Sequence, residues 1–182
     1  ELIRYASSKG INILDCWMAD PKSRDVIGKG IHENRSEWFI QGHIGSTWKE
    51  GQYYRTRDMQ YVKPAFEDLL ERLQTDYIDL GMIHYVDSEE EWAQIQHSDY
   101  LDYVMDLKKK GVIRHIGMSS HNPKVAVKAA ESGYVEMILF SINPAFDMLP
   151  ASDNIDTMFA DEYDTGLKGI DADRARLYKV CE

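Results

Sequence analysis

The sequence predicts an α/β protein with a parallel sheet, organised as part of a (β/α) barrel. Five short apolar segments alternate with segments of helical period, which is typical of parallel strands joined by crossover helices. A doubly wound sheet normally carries a glycine-rich fingerprint after its first strand, whereas Asp15 is followed here by CWMADPKS. A complete barrel takes about 250 residues and eight strands. Because this chain has 182 residues, we expect a partial barrel.

Each element is predicted from its apolar period and its end signals. The segment 58–73 has a regular helical spacing, Ser23 is a suitable N-cap for the helix that follows it, and Gly111 follows a basic helix end. Stretches without a clear period are expected to be loops. The predicted helices are 1–8, 23–31, 58–73, 100–110, 123–132 and 172–182; the strands are 11–15, 38–44, 77–84, 113–119 and 137–143; and the loops are 45–56, 88–91 and 144–169.

The composition excludes several classes of function. The chain has 31 acidic and 21 basic residues and a net charge of −10, so we expect no nucleic-acid partner. Its two cysteines, Cys16 and Cys181, lack the spacing of a disulfide framework or a thiolate metal site, which fits a reducing cytoplasm. The sequence shows no long apolar run and no basic-then-apolar leader, so we expect no membrane partner.

A histidine ends the strand in DYIDLGMIHYVD, residues 76–87. Ligands of parallel α/β proteins bind at the C-terminal ends of the strands, and His84 lies at that end. Alternation along the strand places His84 on the same face as Leu80 and Met82. Two interpretations remain open from this strand alone: an imidazole presented to a ligand pocket, or a core histidine bonded to a backbone carbonyl.

Four segments of the chain resemble the aldo-keto reductase family: GINILD, LQTDYIDLGMIH, KKGVIRHIGMSSHN and SINP, at 10–15, 73–84, 109–122 and 141–144. The similarity is greatest to the bacterial and archaeal branch whose members often carry a C-terminal iron–sulfur domain. It implies a (β/α)8 TIM barrel in which residues 1–182 supply the second to sixth strands and the next helix. We expect no second domain in this piece. An iron–sulfur cluster is expected only in a longer chain, since no ligands for it occur here.

Members of that family reduce carbonyl groups with NADPH through an Asp, Tyr, Lys and His tetrad. By this resemblance, Asp15 matches the tetrad aspartate, and His84 matches the tetrad histidine that orients the substrate carbonyl. It puts Asp20 at the tyrosine position and His43, at the end of the next strand, at the lysine position. The resemblance therefore implies a catalytic group of Asp15, Asp20, His43 and His84 that converges on one cleft at the strand ends.

His43 is the expected proton donor of this altered tetrad. A carboxyl with a reference pKa of about 3.9 is ionised at neutral pH, so Asp20 could donate only from a dry site. The polar stretch 22–24 argues against such a site. Asp15 beside His43 favours an imidazolium. The alternative is that these groups only pair with one another over a site that has lost the family's chemistry.

The resemblance also implies NADP(H) as cofactor. Ser119 matches the serine that helps to hold the nicotinamide carboxamide, Ser120 replaces the asparagine that usually follows it, and Leu139 replaces a glutamine on the next strand. The family's adenosine-phosphate residues lie in two later strand–loop units. This piece alone is therefore not expected to bind NADPH tightly, and the choice between NADH and NADPH stays open.

Three classes of function remain open. The first is an NADPH-dependent reductase of a small carbonyl substrate, and the second is a weakly active or non-catalytic relative that acts in binding or electron transfer. The third is a metal-dependent barrel hydrolase that uses Asp15, His43 and His84 as ligands.

Two further surfaces allow more than one interpretation. The aromatic residues of the 45–56 loop, Trp48, Tyr53 and Tyr54, either wall a substrate pocket or pack on the barrel rim. The acidic run 88–91 is expected to be a solvated loop rather than a metal site. Exposed barrel edges make an oligomer possible.

Overall fold

The computed structural model describes residues 1–159, 166 and 168–182. Seven helices and seven strands lie in these residues, together with three short 3-10 segments at His32–Glu37, Phe146–Met148 and Ile155–Phe159. The elements, in chain order, are α1 Leu2–Ser8, β1 Ile13–Cys16, α2 Pro21–Ile31, β2 Phe39–Ile44, β3 Ser46–Lys49, β4 Gln52–Arg55, α3 Met59–Leu73, β5 Ile78–Ile83, α4 Glu89–Ile95, α5 Asp99–Lys109, β6 Ile113–Ser119, α6 Pro123–Glu131, β7 Met137–Leu139 and α7 Ala172–Val180.

The main sheet has five strands in the order β1-β2-β5-β6-β7. The pairs β1–β2, β2–β5 and β6–β7 are parallel, as the alternation of strands and helices predicted. Asp15 pairs with Gln41, and His43 pairs with Met82. The second sheet is the antiparallel hairpin β3–β4.

The residues group into two compact units. The first contains residues 1–84 and 99–116. Its core consists of aliphatic side chains from α2, β2, α3 and β5, each less than 2% exposed: Ile31, Ile40, Ile44, Leu69, Leu73, Ile78, Met82 and Ile83. At full burial each such side chain contributes about 1.5–3 kcal/mol. This packing fixes the strands on which the candidate site stands.

Helices α2 and α3 of the first unit are also joined by buried charge. Arg24 is 2% exposed and donates to the Asp68 carboxylate at 2.8 Å and to the Ala65 carbonyl at 2.9 Å. Arg72 donates to Asp68 and to Asp25. A buried guanidinium needs such a partner, because an unpaired charge in the interior is costly.

The second unit contains residues 85–98 and 117–182. Helices α6 and α7 pack together through Ala126, Val127 and Leu177, with Ile138 and Phe140 against this core. An exposed ion pair between Arg176 and Glu131 also joins the two helices.

Four predicted elements differ from the structure. Helix α2 begins at Pro21 with Asp20 as its N-cap, so Ser23 is not the cap. The loop predicted at 45–56 contains the hairpin β3–β4. The acidic run is not a loop, since Ser88 caps α4, whose first turn holds three glutamates. Strand β7 pairs with β6 through only three residues, Met137–Leu139, and is shorter than predicted.

The loop prediction for 144–169 lies partly outside the described residues, at 160–165 and 167. In the part that is described, it contains the 3-10 segments Phe146–Met148 and Ile155–Phe159. Among the described helices, none is both long enough and apolar enough to cross a membrane.

Candidate active site

The C-terminal ends of three neighbouring strands bring Asp15, His43 and His84 together. Asp15 lies near the end of β1, His43 near the end of β2, and His84 directly follows β5. The Oδ1 atom of Asp15 is 3.1 Å from Nε2 of His43, and Nδ1 of His43 is 2.8 Å from Nδ1 of His84. His43 therefore bridges the carboxylate and the second imidazole. These are hydrogen-bond distances, so the three groups form one connected site.

A fourth side chain extends this contact. The Tyr53 hydroxyl lies 2.6 Å from Nε2 of His84. Both nitrogens of each imidazole therefore lie at hydrogen-bond distance from another side chain. The four side chains form a hydrogen-bonded chain in the order Asp15, His43, His84 and Tyr53, and we call this chain the file. The Gln41 amide also lies 3.3 Å from Nε2 of His43, and an amide can present either its oxygen or its nitrogen there.

The hairpin β3–β4 places Tyr53 in the file. Its two-residue turn has positive φ at both Glu50 and Gly51, 52° and 79°, as in the type I′ turns of tight hairpins. Trp48 and Tyr53 are partners across the hairpin. At its base, the Ser46 hydroxyl donates to the Trp17 carbonyl at 2.6 Å. The hairpin is therefore fixed to the segment after β1.

Arg57, which follows the hairpin, holds it at the strand ends. Its guanidinium donates to the main-chain carbonyl of His84 and lies 5.0 Å from the centre of the Tyr100 ring. The Tyr100 hydroxyl donates in turn to the Ile44 carbonyl at 2.7 Å. A cation over an aromatic face contributes about 0.5–2 kcal/mol. The ends of β2 and β5 and the hairpin are thus joined by polar contacts.

Burial differs along the file, which has two buried imidazoles and an exposed carboxylate end. His43 and His84 are each 4% exposed, whereas the Asp15 side chain is 42% exposed. Tyr53 is half-buried and lies edge-on to Trp17, with 5.7 Å between ring centres. Water can therefore reach the carboxylate end, whereas the two imidazoles are shielded from solvent.

Asp20 caps a helix, unlike Asp15, His43 and His84, which contact one another. Its carboxylate caps α2 by accepting from the Ser23 hydroxyl at 2.7 Å and from the Ser23 amide at 3.0 Å. The Ser23 hydroxyl bond lowers the pKa of Asp20 below its ordinary value. A carboxyl that remains ionised cannot donate a proton at neutral pH. Its assignment to catalysis stays a prediction.

Cys16 is next to the site but is not a nucleophile. It is 3% exposed, and burial, together with the neighbouring Asp15 charge, raises the pKa of its thiol to about 12. The thiolate is the reactive form of cysteine, and it is almost absent at neutral pH under these conditions.

The two serines expected to hold a nicotinamide lie in the second unit. The Ser119 hydroxyl is buried and has no hydrogen-bond partner among the described residues. A buried orphan hydroxyl is uncommon, so Ser119 fits a residue that bonds a ligand. Ser120 is instead committed to the protein, because its hydroxyl donates to the Val86 carbonyl at 2.7 Å.

The turn after Ser119 is held by a buried carboxylate. Asp87 accepts from the His121 amide at 2.6 Å and lies 2.9 Å from Nδ1 of the His121 ring. Burial acts to raise the pKa of Asp87, but the bonds from His121 and Ser120 outweigh it and hold the pKa below its ordinary value. Asp87 and His121 therefore fix the segment that carries Ser119.

Sequence reasoning did not find the Asp87–His121 pair, and it named Tyr53 only as a possible pocket wall. The signal for Tyr53 was the turn Glu50-Gly51 between STWK and QYYR, which is a hairpin pattern. The pair Asp87–His121 joins residues 34 positions apart and leaves no local pattern.

The geometry gives no support to the hypothesis of a metal-dependent hydrolase. In the part of the chain that the structure describes, no group of three His, Cys, Asp or Glu side chains could hold a metal ion. The nitrogens of His43 and His84 face each other or other protein atoms, whereas ligands must direct their lone pairs at a common centre.

Comparison with known proteins identifies the family of the chain. The model of the aldo/keto reductase family matches residues 1–166. The chain therefore belongs to the aldo/keto reductase family. This confirms the resemblance that the strand-end motifs indicated, and the five parallel strands are part of that family's (β/α)8 barrel.

Three relatives show the extent of the similarity. The uncharacterised oxidoreductase YqkF of Bacillus subtilis is 29% identical over 82% of this chain and 48% of its own length. The glyoxal reductase of Bacillus subtilis is 34% identical over 72% of this chain and 44% of its own. The solved aldo-keto reductase AKR11C1 from Bacillus halodurans, in its holo form, is 25% identical with a TM-score of 0.64, over 77% of this chain and 47% of its own. The chain thus spans about half the length of such relatives.

Proposed function

We propose that the protein containing this chain is a nicotinamide-dependent reductase of small carbonyl compounds. The observation that carries this proposal is the contact of Asp15, His43 and His84 at the ends of three adjacent barrel strands. In a (β/α) barrel that face is where chemistry takes place. A buried, connected set of titratable groups at that face is typical of an acid–base site.

The side chains of the file divide the work of carbonyl reduction. His84 and the Tyr53 hydroxyl offer the polar end at which a carbonyl oxygen can be bonded and oriented. His43 contacts the other ring nitrogen of His84, Asp15 contacts His43, and these two side chains can carry a proton. Trp17, 42% exposed, supplies an apolar wall beside Tyr53.

Ser119 fits the cofactor because its buried hydroxyl is an orphan among the described residues. It would bond the carboxamide of NADP(H), while Asp87 and His121 keep its turn in place. The nicotinamide, when bound, supplies the hydride that reduces the carbonyl carbon. By the family resemblance, the phosphate-binding residues belong to later segments of the barrel, and the net charge of −10 does not favour binding of a phosphate group by this piece alone.

Small aldehydes and dicarbonyls are the substrate class that we assign. One relative is named a glyoxal reductase, and this name supports the assignment. The two cysteines, both free, fit action in the cytoplasm.

The test uses the full-length protein, purified and analysed for metals. NADPH and NADH are titrated by their fluorescence, and their oxidation is followed with a panel of small aldehydes, dicarbonyls and sugars. We expect saturable binding and oxidation that depends on the carbonyl. Binding without oxidation would favour the second class, a non-catalytic relative, and neither binding nor oxidation would contradict the proposal.

The variant Ser119→Ala tests whether Ser119 binds the cofactor. Loss of one hydrogen bond of about 1 kcal/mol should weaken nicotinamide binding about five-fold. Ser152→Ala, which changes a serine between two 3-10 segments of the same unit, is the control and should leave the affinity unchanged. Equal affinities for both variants would remove Ser119 from the cofactor site.

A further inference from the structure

The first unit contains a cavity outside the file. It has a volume of about 580 Å³ and is bordered by the start of α2, by β3 and by α3. Cavities that hold small molecules measure about 300–1,000 Å³ and are lined mainly by apolar groups with a few polar ones. None of the four side chains of the file lines this cavity. It is therefore a separate candidate for ligand binding.

Apolar residues from two segments line this cavity. Ala19 and Pro21 border it from the segment that enters α2, and Pro64 and Ala65 border it from α3. Tyr61 adds an aromatic residue from the same helix. Rigid apolar groups of this kind suit a planar apolar body, which gains free energy when it leaves water.

Lys49 supplies a positive charge at the cavity. Its ammonium lies 5.1 Å from the centre of the Tyr61 ring and 5.6 Å from the centre of the Tyr54 ring. The negative faces of aromatic rings attract a cation and hold it in place. In the part of the chain that the structure describes, no carboxylate lies within ion-pair distance of Lys49. Its charge is therefore positioned by rings and remains available to an anion.

A buried guanidinium supplies a second positive charge. Arg24 also lines the cavity and is 2% exposed. Its bonds to Ala65 and Asp68 both come from Nη1, and its buried Nε atom has no hydrogen-bond partner among the described residues. Asp68 is shared with Arg72. A buried polar atom without a partner is uncommon, and an anion in the cavity would add to the compensation of the Arg24 charge.

Two carboxylates also border the cavity and limit the charge that it can accept. Asp68 is bonded by Arg24 and Arg72, whereas Glu50 is exposed in the turn of the hairpin. Both oppose a doubly charged head group more strongly than a singly charged one, because Coulomb repulsion grows with charge. A carboxylate therefore fits these charges better than a phosphate dianion.

We propose that this cavity binds a small aromatic carboxylate, with the ring of the ligand among the apolar lining residues and its carboxylate on the Lys49 ammonium. The inference goes beyond the proposed reduction and does not depend on it, because no residue of the file takes part. Lys49 lies on the hairpin whose other strand carries Tyr53. An occupant of the cavity therefore contacts an element that also supports the active site.

The test titrates the full-length protein with benzoate, benzamide and phenyl phosphate and follows the Tyr61 ring protons by NMR, so that only a compound in this cavity is counted. Benzamide has the shape of benzoate without its charge, and phenyl phosphate carries the larger charge. We expect benzoate to bind in the millimolar range of so small a ligand and the other two to bind more weakly. The ring protons of Tyr103, outside the cavity, should not shift. Absence of saturable shifts at Tyr61 with benzoate, or equal or tighter binding of either other compound, would overturn the inference.

The variant Lys49→Gln tests the charge, with Lys63→Gln as its matched control. Lys63 is also an exposed lysine over a tyrosine ring, 5.6 Å from the centre of Tyr103, but it does not line the cavity. We expect Lys49→Gln to raise the Kd of benzoate about five-fold, as for an exposed ion pair of about 1 kcal/mol, and Lys63→Gln to leave it unchanged. Equal Kd values for the two variants would overturn the inference. Neither measurement uses turnover, so both outcomes are independent of the proposed function.

Discussion

At the scale of single residues, the position of His43 matters most for the chemistry that we propose. The family resemblance puts His43 at the lysine position, and an imidazole there could both accept and release a proton. A lysine ammonium has only donors, whereas an imidazole has two ring nitrogens that exchange roles. The account therefore expects proton movement to depend on His43.

The first prediction compares His43→Gln with Asp20→Asn. Glutamine can fill the space but cannot carry a proton, so kcat should fall by about 10²- to 10⁴-fold. Asparagine is a good N-cap, so Asp20→Asn should retain α2 and most of the activity. Steady-state kinetics of the full-length protein measure both. A larger loss from Asp20→Asn than from His43→Gln would show that the acid lies at Asp20.

Sequence reasoning could predict part of this site. It placed Asp15 and His84 at strand ends, because an apolar run that stops at a polar residue marks the end of a buried strand, and the family resemblance placed His43 at the end of the strand between them. Tyr53 could not be placed in the same way. Its contact with His84 depends on how the hairpin folds back over the strand ends, and the spacing of the sequence does not encode that distance.

At the scale of elements, the close contact of α2 and α3 supports the site from outside the sheet. Gly28 lies where the helices meet, and a Cβ atom there would be 2.1 Å from the Arg72 main-chain carbonyl oxygen. A Cβ at Gly30, two positions further along the same helix, would meet only the Ile3 side chain. Gly28 is therefore required by the close approach of two backbones.

The second prediction follows from this difference. Gly28→Ala should lower the free energy of unfolding by at least about 2 kcal/mol, because a main-chain atom cannot move aside cheaply. Gly30→Ala should change it by no more than about 1 kcal/mol, since alanine favours the helix and the Ile3 side chain can rotate. Denaturant unfolding of the two variants tests this. Equal changes would show that the helices are not in such close contact.

The third prediction concerns pH and the turn that carries Ser119. Because the pKa of Asp87 is lowered in the folded protein, its carboxylate stabilises the fold above the ordinary carboxyl pKa of about 3.9. That contribution is lost as the pH falls through the lowered pKa. Asp87→Asn should therefore reduce Tm at pH 7, at a cost of about 1–3 kcal/mol.

The difference in Tm between Asp87→Asn and the wild-type protein should narrow as the pH falls below about 4. Asp153→Asn, an exposed change in the same unit, is the control and should have little effect at either pH. Thermal melts across this range provide the measurement. A difference that stays constant with pH would show that the Asp87 charge does not stabilise the turn.

Helices and strands were predicted well where a regular apolar pattern extends over many residues. The prediction failed where capping or turn residues determine the structure. Helix α3 was predicted within one residue because its apolar stripe extends over four turns. The acidic run was taken for a loop, although Ser88 followed three residues later by Glu91 is a capping box. The hairpin was missed because four-residue strands are too short for a period to be recognised.

At the scale of the whole molecule, the parallel order of the strands follows from their alternation with helices and was predictable. At the β1 end of that order, the first two strands carry apolar side chains in solvent. On β1, Ile13 is 57% exposed, and on the neighbouring β2, Phe39 is 50% exposed. Open strand edges with apolar residues favour association with another chain.

The fourth prediction is that residues 1–182, expressed alone, self-associate through this edge. Ile13→Lys should reduce the association, because a charge on an edge strand opposes pairing. Val26→Lys, at a position of α2 that is 65% exposed, should not reduce it. Light scattering over a dilution series measures the mass. A monodisperse wild-type monomer that melts cooperatively would contradict the prediction.

The central claim is that Asp15, His43, His84 and Tyr53 act as one unit, and a double-mutant cycle on kcat tests it most directly. Tyr53→Phe, His43→Gln and the double variant are measured in the full-length protein with one confirmed substrate. Groups that act as a unit are strongly non-additive. The account predicts that the double variant loses no more activity than the less active of the two single variants. Losses that multiply, as for independent residues, would contradict it.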